Sequence, residues 1–235
     1  MLTSVFSVIN YADAAGLAWF LVVWFGYGWL SEHSPWARRG LADVGDRHRL
    51  EWARQMLRRD ARMPDAALVG NLMRSVSFYA NTTIYIIAGV LALLGTLDKV
   101  IIFAEELPFA REASRGLWEI KLVLLFGIFA FAYFKFTWSL RQFNLLSILI
   151  GSTPVIKEGD GFDPQRAEVA ARRLGRVNSL AGDEFNRGIR AYYFGLAAVA
   201  WFVQPWVFIA MTTMIAIVLY RRDFASPLLR ALREE

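Results

Sequence analysis

Apolar residues are concentrated in four long segments of the chain, separated by charged connections. Residues 76–97 carry no charged side chain, and the most polar side chain within residues 191–220 is Gln204. About 20 apolar residues in a helix cross a hydrocarbon core of about 30 Å. The pattern therefore predicts an all-α, four-span transmembrane helical bundle with helical cytoplasmic extensions, formed by a single integral membrane domain. The predicted spans are about 10–30, 76–97, 118–140 and 193–220 of the domain 1–235.

Individual residues locate the third and fourth spans. Trp118 and Trp138 are twenty residues apart, which is about 30 Å along a helix and matches the separation of the two aromatic belts of a membrane. In the fourth span, Pro205 predicts a kink in a long, tilted helix. The alternative is two half-membrane segments that meet at Pro205, which would require protein to cover the broken backbone.

Lys and Arg residues are distributed unequally between the two sides of the predicted bundle. The two long connections, residues 31–75 and 141–192, hold nine and eight of them, whereas the opposite side holds four near the connection before the third span and four in the C-terminal tail. Because basic connections are retained in the cytoplasm, both long connections are expected there, with both termini outside. Arg221 and Arg222 fit this orientation poorly. The first nine residues contain no basic residue, which favours a retained anchor over a cleaved signal peptide.

The first long connection and the end of the third helix show helix boundaries. Asp46 is a candidate N-cap for a helix that runs through Arg62 and that Pro64 ends, and Asp65 is a candidate N-cap for the next helix. The third helix is expected to continue past the membrane until residues 151–154 end it. These signals predict helices that project from the bilayer.

The second long connection predicts a further helix that leads into the fourth span. Residues 159–161 have turn chemistry, and Asp163 followed by Pro164 is typical of a helix start. Apolar residues then recur at a spacing of three or four, which predicts one packed face. They are Ala170, Leu174, Val177, Ala181, Phe185 and Ile189.

Composition excludes several classes of function. The chain is 56% hydrophobic, has no cysteine and has a mean hydropathy of +0.36, which is atypical of a soluble single-domain enzyme and excludes disulfides and thiolate sites. His33 and His48 are too few and too far apart for a histidine metal site. Residues 158–163 are similar to part of a calcium loop, but Ala167 stands where the last acidic ligand is required. No catalytic, cofactor-binding or metal site is predicted.

The chain is basic, with a net charge of +5 and an isoelectric point near 9.7. The cations flank the apolar spans, where retention in the cytoplasm explains them without any ligand. Membrane lipids are therefore expected as partners, and nucleic acid is not.

Polar residues form two stripes near the predicted cytoplasmic interface, one on the third helix and one on the approach to the fourth span. The functional interpretation is a basic entrance that concentrates anions. The structural interpretation is a network that fixes helix packing. Lys135 lies inside the third span, where its ammonium could line an anion path or extend to the headgroups. The candidate pore or polar network consists of Lys135, Thr137, Arg141, Asn144, Asn186 and Arg190.

Three stretches of the chain carry a resemblance to a known family. They are LWEIK at residues 117–121, FKFTWSLRQFN at residues 134–144 and FNRGIRAYYF at residues 185–194. They resemble the bacterial membrane family catalogued as domain of unknown function 599, and the similarity covers about residues 5–222. The resemblance implies a four-helix integral membrane protein, and it implies no activity, substrate or cofactor.

The sequence favours an oligomeric channel or transporter-like protein for small ions or solutes, located in the bacterial inner membrane. The two polar stripes are the basis of this hypothesis, which expects a homo-oligomer and a small anion or solute as partner. The alternative is a non-catalytic membrane scaffold that acts through its cytoplasmic helices. An enzyme is not favoured, because no acid–base pair accompanies a nucleophile or a metal constellation.

Overall fold

The computed structural model describes residues 10–105, 114–156 and 163–233, and all regular secondary structure within these ranges is helical. This confirms the predicted all-α class. The first nine residues and the expected turn at residues 159–161 lie outside the described residues. The α-helices are α1 (Tyr11–His33), α2 (Leu41–Leu57), α3 (Met63–Gly95), α4 (Leu97–Glu105), α5 (Arg115–Ser152), α6 (Pro164–Val199), α7 (Pro205–Phe224) and α8 (Pro227–Ala231), with short 3-10 helices at Ala37–Arg39 and Ala200–Phe202.

Three helices of the described part of the chain are long and apolar enough to cross a membrane, and the chain is a membrane protein. They are α1, α3 and α5, and they correspond to the first three predicted spans. Helix α3 has 33 residues and α5 has 38, which makes them about 50 Å and 57 Å long. Both therefore extend well beyond a hydrocarbon core of about 30 Å, and α5 ends at Ser152 as expected.

The segment expected to form a fourth span, residues 193–220, is not one bent helix. Helix α6 ends at Val199, a 3-10 helix follows, and the backbone of Gln204 is extended before α7 starts at Pro205. Proline has no N–H to donate, its ring clashes with the preceding turn of a helix, and it forces the residue before it out of the helical region. At this position, it therefore starts a new helix and does not kink an existing one.

Contacts between α6 and α7 show that the chain reverses its direction at this break. The ring of Trp201 stacks on Phe208 with 5.1 Å between centroids. Farther from the break, the Arg222 guanidinium lies 5.4 Å from the centroid of the Tyr193 ring. Residues near the break and residues far from it both meet across the pair, so α6 and α7 form an antiparallel hairpin.

Helix α1 lies alongside this hairpin and runs parallel to α7. The indole nitrogen of Trp19 donates a 3.0 Å hydrogen bond to Oγ1 of Thr213. Closer to the C-terminal ends of both helices, the hydroxyl of Tyr27 donates a 2.6 Å hydrogen bond to Oδ2 of Asp223. Residue numbers increase together along α1 and α7 from the first contact to the second, so these two helices are parallel. Because α7 is antiparallel to α6, α1 is also antiparallel to α6.

Helix α6 occupies the centre of the bundle. Gly188 and Gly195 let it approach α5 closely, because an added Cβ would overlap the ring of Phe136 at the first and lie 2.9 Å from the ring of Phe129 at the second. On its other side, Phe194 packs edge-on against Phe20 of α1. Surrounding helices cover much of α6, so it requires less apolar surface than a helix that faces lipid.

Helix α2 and the first half of α6 form a projecting layer at one end of the bundle. An added Cβ at Gly175 of α6 would lie 3.0 Å from the backbone of Leu50, so the two helices are in close contact. Arg54 donates two hydrogen bonds to the carboxylate of Glu168, at 3.0 and 2.9 Å. These bonds and one from Arg172 lower the pKa of Glu168 to about 2.

The two expected N-caps of the first connection are absent. Helix α2 begins at Leu41, and Asp46 lies within it, where its carboxylate accepts a 2.9 Å hydrogen bond from Arg49. Asp65 is fully buried in the first turn of α3 and accepts a 2.9 Å bond from the indole of Trp52. Both carboxylates therefore hold side chains in the projecting layer.

The other expected boundaries are partly confirmed. Asp163 caps α6 and accepts a 2.9 Å bond from the backbone N–H of Gln165. Helix α2 ends at Leu57, earlier than expected, and Arg62 then contacts the end of α5. The Arg62 guanidinium donates hydrogen bonds to the carbonyls of Ile150, Thr153 and Pro154, which caps the end of α5 with a side chain from the connection between α2 and α3.

Candidate functional site

A cavity of about 670 Å³ lies between α1, α5 and α6. Its volume is within the range of about 300–1,000 Å³ that is typical of ligand pockets. This lateral cavity has apolar walls and a charged end. The walls consist of Trp24, Phe25, Gly28, Trp29, Val123, Leu124, Gly127, Ile128 and Phe131, and the charged end consists of Glu32, His33, Lys135, Arg187 and Arg190.

The lateral cavity opens sideways between two of the candidate spans. Phe25 and Trp29 of α1 and Val123 of α5 are 69%, 63% and 59% exposed, although they line its walls. The rings of Trp24 and Phe131 meet edge-on across the cleft at 5.8 Å. These side chains belong to α1 and α5, which are both long and apolar enough to cross a membrane, so the opening lies between two candidate spans.

The charged end belongs to a network of ion pairs, termed the charged cluster. Arg187 donates two hydrogen bonds to the carboxylate of Glu32, from Nε at 3.0 Å and from Nη2 at 2.6 Å, and its Nη1 donates a 2.5 Å bond to Glu184. Arg190 also donates to Glu32. The ammonium of Lys135 lies 2.8 Å from the second carboxylate oxygen of Glu184.

The charged cluster carries one surplus positive charge. Three cations share two carboxylates. The side chains of Glu184 and Arg190 are only 10% and 11% exposed, and charges withdrawn from water in this way must be paired. Lys135 also lies over the ring of Phe131, with its ammonium 5.4 Å from the ring centroid. The cluster is thus continuous with the apolar wall of the cavity.

A second cavity of about 340 Å³ lies on the other side of the cluster, between α1, α2 and α6. This vestibule is mostly polar and is located in the projecting layer. Four residues line both cavities, namely Glu32, His33, Arg187 and Arg190. The ion pairs between Glu32 and the two arginines therefore lie at the boundary that the lateral cavity and the vestibule share.

Of the six candidate residues from the sequence, two lie in the charged cluster. Lys135 and Arg190 line the lateral cavity, and Arg190 also donates a 2.7 Å hydrogen bond to Oγ of Ser31. Asn186 is exposed and lines the vestibule. The other three candidates form the stripe predicted on the third helix, and they lie apart from these residues.

The remaining three candidates lie on another face of α5. The hydroxyl of Thr137 donates to backbone carbonyls of its own helix at 3.0 and 3.1 Å. Arg141 is exposed and its guanidinium lies 6.0 Å from the ring centroid of Trp138. Asn144 is exposed as well. None of the three lines the lateral cavity or the vestibule.

Three residues of the charged cluster were not predicted from the sequence, namely Glu32, Glu184 and Arg187. A signal was present for the last two, because they and Arg190 are spaced three residues apart and therefore share one helix face. Glu32 follows the apolar run of the first span and carries no such signal. Its pairing with α6 depends on how α1 packs against the hairpin.

The opposite end of the bundle contains a smaller polar contact. The indole nitrogen of Trp201 donates a 2.8 Å hydrogen bond to Oδ1 of Asp13, which is buried. The ammonium of Lys121 lies 5.6 Å from the centroid of the Trp201 ring. This contact fastens α1 to the reversal between α6 and α7.

The chemistry available at the charged cluster is electrostatic. Guanidinium and ammonium groups bind carboxylate or phosphate oxygens through charge-assisted hydrogen bonds. Within the described ranges, no group of three or more His, Asp or Glu side chains could hold a metal ion. Lys135, Arg187 and Arg190 supply donors of this kind at one end of the lateral cavity.

Comparison with known proteins places the chain in a family. The model of the family described as "Protein of unknown function, DUF599" matches residues 15–228. No curated protein and no solved structure matches the chain. The matched range contains the lateral cavity, the charged cluster and the vestibule. The chain belongs to the DUF599 family.

Proposed function

We propose that the protein is transporter-like and passes an anionic solute between the lateral cavity and the vestibule. The observation that carries this proposal is that Glu32, Arg187 and Arg190 line both cavities and hold one another in ion pairs. An incoming anion can replace the carboxylate of Glu32 on the two guanidinium groups. The exchange opens the partition between the cavities and leaves no buried cation unpaired.

The proposed orientation has the projecting layer in the cytoplasm and five crossings in place of four. The reversal between α6 and α7 brings the C-terminal tail to the same side as the two basic connections. Arg221 and Arg222 then join the seventeen cations of those connections, with only four cations near the opposite surface. The N-terminus remains outside, the C-terminus is cytoplasmic, and the membrane is the inner membrane of a bacterium.

Single-cysteine labelling tests this orientation in a chain that has no native cysteine. Position 230 is the informative one, because it is cytoplasmic with five crossings and external with four. We expect an impermeant maleimide applied to intact cells to label a cysteine at position 98 and to spare Arg230→Cys and Gln55→Cys. Labelling of position 230 from outside, with position 55 spared, would exclude the fifth crossing.

Anion flux into proteoliposomes tests the function. We expect uptake of lactate or phosphate that Arg190→Gln abolishes and Arg190→Lys partly restores, because the lysine keeps the charge. Arg141→Gln is the matched control, since Arg141 is an exposed arginine away from both cavities. Absence of uptake by the folded protein, or equal losses in Arg190→Gln and Arg141→Gln, would contradict the proposal.

A scaffold is the second candidate, and the closely packed projecting layer favours it. Gly175 of α6 lies against the backbone of Leu50 of α2, and Arg54 of α2 pairs with Glu168 of α6 at the surface of this contact. A scaffold would show no solute uptake, and substitutions in the charged cluster would alter stability alone. The expected homo-oligomer is tested by the mass of the detergent-solubilised protein, where a monomer would contradict it.

A further inference from the structure

We propose that the ligand of the lateral cavity is an alkyl carboxylate that enters from the bilayer, with its tail between α1 and α5 and its headgroup at the charged cluster. The inference rests on the proposed function, because it names the anion that exchanges with Glu32. It adds the chemical class of that anion and the side from which the anion arrives. Two independent features of the cavity, its charged end and its walls, support it.

The charged end matches a carboxylate of single negative charge. Arg187 already holds the carboxylate of Glu32 through two parallel hydrogen bonds, the geometry in which a guanidinium group binds a carboxylate most specifically. A ligand carboxylate can occupy this position when Glu32 withdraws. Glu32 carries one negative charge, so a monoanion that replaces it leaves the charge balance of the cluster unchanged.

The walls match an alkyl chain and not a compact ion. From Val123 to Lys135 the cavity follows α5 for about 18 Å, and its walls are aromatic and aliphatic. A small ion would contact only the charged end. An alkyl chain would replace lipid along the whole length, and its headgroup would lie one turn from Trp138, at the depth of the membrane interface.

The opening toward lipid identifies the bilayer as the source. The exposed rings of Phe25 and Trp29 stand at the mouth of the cavity, so a ligand dissolved in the leaflet reaches the cavity without crossing water. The vestibule offers a route to the cytoplasm for the headgroup after it has displaced Glu32.

Two glycines allow the tail site to be filled without changing the cluster. Gly28 of α1 and Gly127 of α5 line the cavity, and an added Cβ at either position meets no atom within 4 Å. Gly89 of α3 is equally free of contacts and lies away from the cavity. Gly127→Leu is therefore a blocking variant, and Gly89→Leu is its matched control.

Binding is measured on the detergent-purified protein with dodecanoate brominated along its chain, which quenches the fluorescence of nearby indoles such as Trp24. Dodecanol and lactate serve as competitors that lack the charge and the tail, respectively. We expect dodecanoate to bind at least about tenfold more tightly than either competitor. We expect Gly127→Leu to weaken dodecanoate by about tenfold, which corresponds to excluding about two methylene groups, and Gly89→Leu to leave binding unchanged.

The outcomes separate this inference from the proposed function. The alkyl carboxylate would be overturned if dodecanoate bound no more tightly than lactate, or if it bound equally to Gly127→Leu and Gly89→Leu. The transporter proposal would be retained in that case if lactate uptake still depended on Arg190. Displacement of dodecanoate by phosphatidylglycerol but not by palmitate would assign the site to a phospholipid and would also overturn the inference. If the folded wild-type protein neither takes up lactate nor binds dodecanoate, both proposals are contradicted.

Discussion

Replacing Glu32 with glutamine tests whether the charged cluster holds the bundle together. The substitution keeps the size of the side chain and removes the charge that pairs with Arg187 and Arg190. Two guanidinium groups then lack their common carboxylate. Glu184 still pairs with Arg187, whereas Arg190 keeps its hydrogen bond to Ser31 but has no other ion pair among the residues that the structure describes.

The expected loss follows from burial. Breaking a buried ion pair by removing one partner costs about 3–5 kcal/mol, mainly because the remaining charge is left unpaired. The side chains of Glu32 and Arg187 are 24% and 33% exposed, so water screens part of this penalty. We therefore expect a loss of about 2–3 kcal/mol in the free energy of unfolding.

The assay is thermal unfolding of the detergent-purified protein, followed by tryptophan fluorescence. For a chain of this length, the expected loss lowers the melting temperature by roughly 5–10 °C. Glu168→Gln provides the control, because its pair with Arg54 is exposed and such pairs contribute little. An equal melting temperature for Glu32→Gln and the wild type, or equal shifts in Glu32→Gln and Glu168→Gln, would refute the argument that the cluster is buried and structural.

Three further predictions concern packing, a hydrogen bond and pH. Gly188→Ala should destabilise the bundle by about 1–3 kcal/mol, because the added Cβ overlaps the ring of Phe136. The control Gly89→Ala should not destabilise it, and equal melting temperatures of the two variants would contradict the close contact of α5 and α6. Trp201→Phe should lower the free energy of unfolding by about 1–3 kcal/mol, because it removes the hydrogen-bond donor to the buried carboxylate of Asp13. Stability restored by adding Asp13→Leu to this variant would identify the unpaired carboxylate as the cause. The pKa of Glu168 is lowered to about 2 in the folded protein. Because its pair with Arg54 is exposed, the pair contributes only a small stabilisation, which is present above the ordinary glutamate pKa of about 4.3 and is lost as pH falls from about 4.3 toward 2. Thermal unfolding between pH 5 and pH 2 should show a slightly shallower acid dependence for Glu168→Gln, and identical profiles would contradict the pairing.

Local signals located the elements whose ends are set by nearby residues. Asp163 and Pro164 predicted the start of α6 correctly, since an N-cap and the first helical residue act through the adjacent backbone. Asp46 was assigned as a cap by the same argument and was wrong, because α2 begins earlier, at Leu41. A side chain that can cap a helix can equally form a salt bridge within it, and only the packing of α2 on α6 distinguishes the two.

The candidate site was predictable to the extent that its residues share one helix. Lys135 was identified because a charge in an apolar segment is apparent in the sequence, and Arg190 because it lies on the polar stripe that approaches the fourth span. Arg141 and Asn144 were grouped with them by helix position, yet they lie on another face of α5 and outside both cavities. Periodicity fixes the angle between residues of one helix but not the rotation of that helix against its neighbours.

The amino-acid pattern alone determined the all-α class, the membrane location and the approximate positions of three long apolar helices, because the transfer of apolar side chains into lipid depends on composition and length. The tertiary structure decided that the last apolar segment turns back at Pro205 and that Glu32 meets Arg187 and Arg190. Both outcomes depend on contacts between residues far apart in the chain. Pro205 is compatible with a kink or with a reversal, and the packing of Trp201 on Phe208 and of Tyr27 on Asp223 stabilises the reversal.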